Sequence, residues 1–442
     1  MSGAAAEGVG GGAITHRRVL AIALPIVLSN ATIPLLGMVD TGVVGQLGRA
    51  EPIGAVGIGA VILTTLYWVF GFLRMGTSGL VAQARGAGDA AASGAHLLRA
   101  LAIGVAAGVA LIILQGPLVA AAFRLSPASA EVEALARQYL AIRIWGAPAT
   151  IAMYALTGWL IAVERTRGIL AVQMLVNAVN ILLDLWFVLG LGLGVPGVAW
   201  ATLAAEWSGA ALALWFARAA IRGGLRAGGL WARHHVVRLL RVNGDIMIRS
   251  VLLQAAFTSF MFLGAGQGDL PLAANQVLLQ FVSITAFALD GVAFAAEALV
   301  GQAVGAKRPG MVRRASVLSS QWAAAGAVLL SLAFAVGGGA LIDLLTTSPE
   351  VREVARIYLP WMILMPVVGV AGWMLDGIFI GATLTRQMRN AMVLSVAIFF
   401  AAVIVLTPPF ANHGLWMSLL LLNLARAVAM WRLYPQAEAA AR

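Results

Sequence analysis

The chain has 442 residues, 61% of them apolar and 11% charged, with a mean hydropathy of +0.93. No soluble fold of this length needs so much apolar surface, and apolar runs recur from end to end, so the composition defines an all-α polytopic membrane protein. The lack of cysteine excludes disulfides, thiolate nucleophiles and cysteine-ligated metals; the net charge of +11 is spread along the chain in a way that argues against nucleic acid.

Residues 1–14 are Gly/Ala-rich and read as a disordered cytoplasmic N-terminus. They lack the basic start and apolar core of a cleaved signal, so the first helix is expected to direct insertion. Twelve helices follow, at 19–47, 53–84, 94–124, 131–163, 168–190, 195–217, 236–264, 271–304, 312–345, 350–384, 388–408 and 414–434. Of the 29 Lys and Arg, the N-terminus, the even-numbered loops and the C-terminus hold 20, and the odd-numbered loops with adjoining helix starts hold 5. That bias places both termini and the basic linker 218–235 in the cytoplasm, in a multi-pass protein of the inner (plasma) membrane.

The first helix carries Asp40, which an apolar span tolerates only where it faces a wet, protein-lined space. Pro25 and Pro34 share that helix, and Pro34 removes the backbone bond to Asn30 one to two turns before Asp40. In the fifth helix Gln173, Asn177, Asn180 and Asp184 stand at i, i+4, i+7 and i+11, so they share one face that turns inward. Odd-numbered helices run from inside to outside, which puts Asp40 and Asp184 in the outer half of the first lobe. Thr202, on the sixth helix, reaches the same depth. This set is either a hydrated, titrating pocket or a polar network holding helices 1, 5 and 6 together, and the two roles are compatible.

The eighth helix has a second stripe, Gln276, Gln280, Ser283, Phe287, Asp290, Phe294 and Glu297, covering a full crossing at about 1.5 Å per residue. Arg249 on the seventh helix is the expected counter-ion for Asp290 or Glu297, in a cargo-facing or a conformational role. Arg74 and Arg143 read as members of internal ion pairs, with Glu206 and Asp376 as candidate partners. The five histidines show no metal-ligand spacing, and no phosphate loop or hydrolase motif is present.

The two sets of six helices repeat. A shift of 219 residues lays LVAQARGA (80–87) on LVGQAVGA (299–306) and EVEALARQYL (131–140) on EVREVARIYL (350–359). Two pseudo-symmetric lobes are therefore expected, 15–217 and 236–442, related by an axis along the membrane normal, as in transporters with parallel repeats.

The runs ALPIVLSNATIPLLGMVDTGVVGQLG, LVAQARGAGD, DLWFVLGLGLGVPGVAWAT, ALDGVAFAAEALVGQAVGA and LDGIFIGA resemble the multidrug and toxic compound extrusion (MATE) family, in its DinF-like branch. The resemblance implies twelve helices in two lobes around a V-shaped central cleft, and secondary active efflux of amphipathic, mostly cationic small molecules. It implies Asp40 as the leading coupling residue, with Asn180, Asp184 and Thr202 in its network. The sodium-coupled branch has acids within helices 7 and 10. Here Asp245 sits near the start of helix 7 and Asp376 about two turns late, so the proton is favoured over sodium as coupling ion. No other cofactor is expected, nor a metal, enzymatic chemistry or a partner beyond cargo and membrane lipid, and the chain is read as a monomer. The alternative within the same superfamily is a flippase for lipids or lipid-linked saccharides.

Overall fold

A computed structural model describes residues 12–125 and 128–442. Most of the expected disordered segment, residues 1–11, lies outside the described residues. Ile14 is buried, and its carbonyl accepts a hydrogen bond from Arg314 Nε at 2.8 Å.

The described residues are helical throughout, with no strand. In chain order they form α1 (His16–Gly45), α2 (Ala50–Gly86), α3 (Ala90–Ile113, continued past a break at Leu114 by Gln115–Leu125), α4 (Ala130–Ala162), α5 (Thr166–Gly190) and α6 (Gly194–Leu225). Then come α7 (Arg233–Ala265), α8 (Asp269–Gly305), α9 (Pro309–Leu345), α10 (Pro349–Gly381), α11 (385–410) and α12 (412–433). Among the described residues ten stretches are long and apolar enough to cross a membrane. One of them, Thr385–Ala439, holds both α11 and α12, which meet at Ala411 with φ 46° and ψ −125°. The 32-residue α6 is long enough to span, but Glu206 and its tryptophans dilute its hydropathy.

Helix ends differ from expectation where packing overrides composition. The sixth helix was expected to stop at 217, yet α6 continues through Arg218 and Arg222 to Leu225. It is held there because Gly224 lies against the backbone of Gly94 on α3, where an added Cβ would come within 2.4 Å. The buried Arg99 then ties down the turn beyond α6, donating from Nε to the Leu230 carbonyl at 2.5 Å.

By contacts the chain divides into two compact units. The first is Leu28–Val81 with Asp89–Val237; the second is Arg238–Arg442 with Ala82–Gly88 and the segment ending at Val27. The division falls inside α1, between Pro25 and Pro34, although α1 runs helical through both prolines.

The 219-residue repeat is visible as repeated geometry. In the first unit Gly158 on α4 meets the Arg74 carbonyl of α2, where a Cβ would lie at 2.3 Å; in the second, Gly377 on α10 meets the Ala293 carbonyl of α8 at 2.5 Å. Within the second unit Gly86 and Gly305 reciprocate, each a hypothetical Cβ at 2.0 Å and 1.9 Å from the carbonyls of Gln302 and Gln83. The turns repeat as well. Gly88 and Lys307 end α2 and α8 in the left-handed region, as Glu164 and Thr383 end α4 and α10. Arg165 N and Leu384 N close the last two turns onto Leu160 O and Phe379 O at 2.9 and 2.8 Å.

The core of the second unit is aromatic. Phe260 stacks edge-on against Trp416 at 4.6 Å, and Phe281 against Phe334 at 4.9 Å. Beside it, Asn275 and Asn412 exchange two hydrogen bonds at 2.8 and 2.9 Å, and Trp416 Nε1 donates to Asn275 Oδ1 at 2.9 Å. All three are buried, so this closed network pins α8 to the irregular junction of α11 and α12.

Candidate functional site: a paired carboxylate in the first unit

Helices α1, α5 and α6 bring four of the expected residues together inside the first unit. Asp40 and Asp184 are 6% and 0% exposed, and their carboxyl groups face one another within hydrogen-bonding reach. Asn180, one turn before Asp184 on the same face of α5, donates from Nδ2 to Thr202 Oγ1 at 3.2 Å. The Thr202 hydroxyl lies 2.9 Å from the Val198 carbonyl and 3.4 Å from Asp40 Oδ2. Its single proton serves one of these acceptors at a time, so the donor against Asp40 is switchable.

The local backbone frames this pair. Immediately after Asp184 the last turn of α5, Leu185–Gly190, widens to a π-helix, a distortion that recurs at functional sites. Both Asp184 oxygens and Asp40 Oδ1 are buried without a donor that satisfies them among the described residues. Two acceptor-only carboxylates in contact cannot bond each other, whereas one proton between them makes one a donor.

The stripe on α5 divides its labour. Gln173 donates to Asn177 at 3.0 Å, and Asn177 passes the chain on to the Thr32 carbonyl of α1 at 3.3 Å. Asn177 thus ties α5 to α1 near Pro34, while Asn180 and Asp184 meet Asp40. Arg143 pairs with Glu206 at 2.7 Å, and its Nε lies 3.3 Å from the Tyr139 hydroxyl. Tyr139 lies on the sequence face of α4 one turn before Arg143, and its role was not singled out in the sequence because a lone tyrosine there reads as packing.

In the second unit the expected counter-ion arrangement is corrected. Arg249 pairs with Asp376 of α10, not with Asp290 or Glu297 as expected, and Arg426 Nη1 lies 3.4 Å from the same carboxylate. The three side chains are buried together, so helix rotation, which the α7 sequence does not fix, brings Asp376 rather than the α8 acids to Arg249. Arg426 is steadied by Asn423 at 3.0 Å. Asp245 is held at the start of α7 by Arg389 at 2.6 Å and Thr385 at 3.2 Å. Along α8, Gln276, Gln280 and Ser283 are exposed, Asp290 is half-buried and Glu297 is buried.

The comparisons with known proteins agree with this architecture. The MatE family model matches twice, over residues 25–186 and 246–407, once in each half of the chain. The chain therefore belongs to the MatE family, the multidrug and toxic compound extrusion transporters. Among its relatives, DNA damage-inducible protein F of Escherichia coli (strain K12) is 38% identical over 424 residues, 93% of this chain and 91% of the relative. A probable multidrug resistance protein NorM of Neisseria meningitidis serogroup A is 27% identical, over 78% of this chain and 76% of its own. Solved structures share the fold: a MATE protein in a bent conformation gives a TM-score of 0.86 at 19% identity, covering 96% of both chains. An outward-facing multidrug resistance MATE family transporter gives 0.81 at 18% identity, also over 96% of both chains.

Proposed function

We propose that this transporter exports amphipathic, mostly cationic small molecules across the inner (plasma) membrane by antiport with protons, through alternating access, as a single chain. The observation that carries the reading is the buried Asp40–Asp184 pair, built from two helices, with the neighbouring Arg143 guanidinium in direct ion pair with Glu206 instead. Two full charges about 4 Å apart repel by about 4 kcal/mol at an effective dielectric of 20. One shared proton removes that repulsion, and so does a cation brought alongside. Proton and cationic cargo then compete for the same negative charge, and each lowers the other's affinity by the same factor.

The second unit supports the proton over sodium. The acids nearest to a sodium-binding arrangement are already taken by fixed cations, Asp376 by Arg249 and Arg426, and Asp245 by Arg389. A flippase for phosphate-bearing lipids calls for unpaired basic groups in its cavity, whereas Arg143 is neutralised by Glu206.

The test is transport of a fluorescent lipophilic cation in liposomes carrying the purified protein. Export driven by an imposed proton gradient, with no response to a sodium gradient at fixed pH, is the expected result. Export that follows sodium alone removes the proton reading.

A further inference from the structure

We propose that the second unit carries a binding groove for an anionic phospholipid, separate from the Asp40–Asp184 site. A cavity of about 680 Å3 lies between α9, α10 and the end of α12. Its α9 wall is mixed: Arg313, Ser316, Ser320 and Gln321 form a polar strip along the first turns of that helix, beside Val317 and Ala324. The α10 wall is apolar, running from Val370 through Met374 to Ile378, about 12 Å at 1.5 Å per residue. Trp431 and Tyr434 close the third side, with Trp431 70% exposed at the edge.

The groove thus has a polar, positively charged strip facing a greasy one, the profile of an amphiphile with an anionic head. No acidic residue lines it, and Arg313 makes no ion pair among the described residues. Glu438, in the terminal turn Pro435–Ala439, stands near Tyr434 but outside the lining. The buried Tyr434 hydroxyl lies beside Ser316 and Glu438, a polar group at the Arg313 end of the groove that can turn to a phosphate oxygen. An indole and a phenol at the rim suit the headgroup level of a bilayer. An inorganic anion would leave the α10 wall uncovered, and a cationic cargo would meet the Arg313 charge.

The groove lies at the end of the unit that holds both chain termini. Arg314, next to Arg313, bonds the Ile14 carbonyl, Trp322 Nε1 meets His16 Nδ1 at 3.1 Å, and Tyr434 precedes the C-terminus. With the termini cytoplasmic, as the charge bias implies, the ligand comes from the inner leaflet, where phosphatidylglycerol-type lipids present one negative charge. Only the choice of leaflet rests on that orientation; binding itself does not, so cysteine labelling of topology tests it separately.

The experiment is native mass spectrometry of the full chain in detergent, titrated with phosphatidylglycerol or with phosphatidylcholine of the same acyl chains. One phosphatidylglycerol is expected to be retained about tenfold more tightly than phosphatidylcholine, the scale of a charge-assisted hydrogen bond. Arg313→Gln is expected to abolish that preference, and Tyr434→Phe to weaken it several-fold, each with an unchanged melting temperature in lipid-free detergent. Arg222→Gln, on α6 of the other unit, is expected to keep it. Should Arg313→Gln melt early, Tyr434→Phe decides alone. Equal retention of the two lipids, or a preference that survives the decisive variant, overturns the proposal. Displacement of the lipid by glycerol 3-phosphate at equal concentration also overturns it, because the apolar wall then contributes nothing.

Discussion

The buried charges among the described residues are partnered in different ways, and the consequences of removing one differ from site to site. Arg143 and Glu206 form a direct pair, so Arg143→Ala leaves a largely buried carboxylate uncompensated and is expected to cost about 3–5 kcal/mol. Adding Glu206→Gln is expected to restore part of that loss in detergent melting; a double variant no more stable than Arg143→Ala contradicts the pairing. The second unit has two guanidiniums against one carboxylate. Asp376→Asn is therefore expected to melt well below Arg249→Gln, since Arg426 remains to neutralise Asp376 in the latter but nothing separates two buried cations in the former. The reverse order of melting temperatures contradicts this account. At this scale the sequence was informative where one helix carries several polar residues, since the i, i+4, i+7, i+11 spacing on α5 already puts Asn180 and Asp184 on one face. It was uninformative about pairing across helices. Arg249, Asp290, Glu297 and Asp376 lie at depths that allow several matches, and which one forms depends on the rotation of α7 and α10 about their own axes.

Among the elements, close backbone approach and turn geometry determine what is tolerated. Gly86 and Gly305 let the ends of α2 and α8 touch backbone to backbone, and a methyl group at either meets a carbonyl oxygen at about half the normal contact distance. Gly305→Ala is expected to lower the melting temperature clearly, whereas Gly310→Ala, with open space at its Cβ, is expected to change it little. Lys307 occupies the left-handed position that Gly88 holds in the other repeat. Lys307→Gly relieves that strain, which costs about 1 kcal/mol, and is expected to raise the melting temperature slightly. A drop would show that the lysine side chain contributes more than its backbone conformation costs. Element existence was legible because apolar runs of about 20 residues are long-range signals. Element ends were not: α6 passes its basic stretch because Gly224 docks on Gly94, and α11 and α12 meet at Ala411 inside an Asn275–Asn412–Trp416 network that no local pattern announces.

At the level of the whole molecule, the duplicated family match, the 219-residue repeat and the repeated Gly–carbonyl contacts describe one design used twice and then specialised. The first unit holds a carboxylate pair near Arg143, whose direct ion pair is with Glu206; the second surrounds its central acid with arginines. Both termini are expected on the cytoplasmic side, and a cysteine placed at Gly228 of this cysteine-free chain tests this. It should resist an impermeant thiol reagent added to intact cells and react once the membrane is opened; labelling in intact cells contradicts the orientation. The central claim is that Asp40 and Asp184 exchange a proton for cationic cargo. It is tested most directly by adding a lipophilic cation to the purified protein in weakly buffered detergent solution and measuring the protons released. The account predicts release of about one proton per cation bound by the wild type, and none from Asp40→Asn or Asp184→Asn at comparable cation occupancy. Binding of the cation to the wild type without proton release, or equal release from both variants, would contradict it.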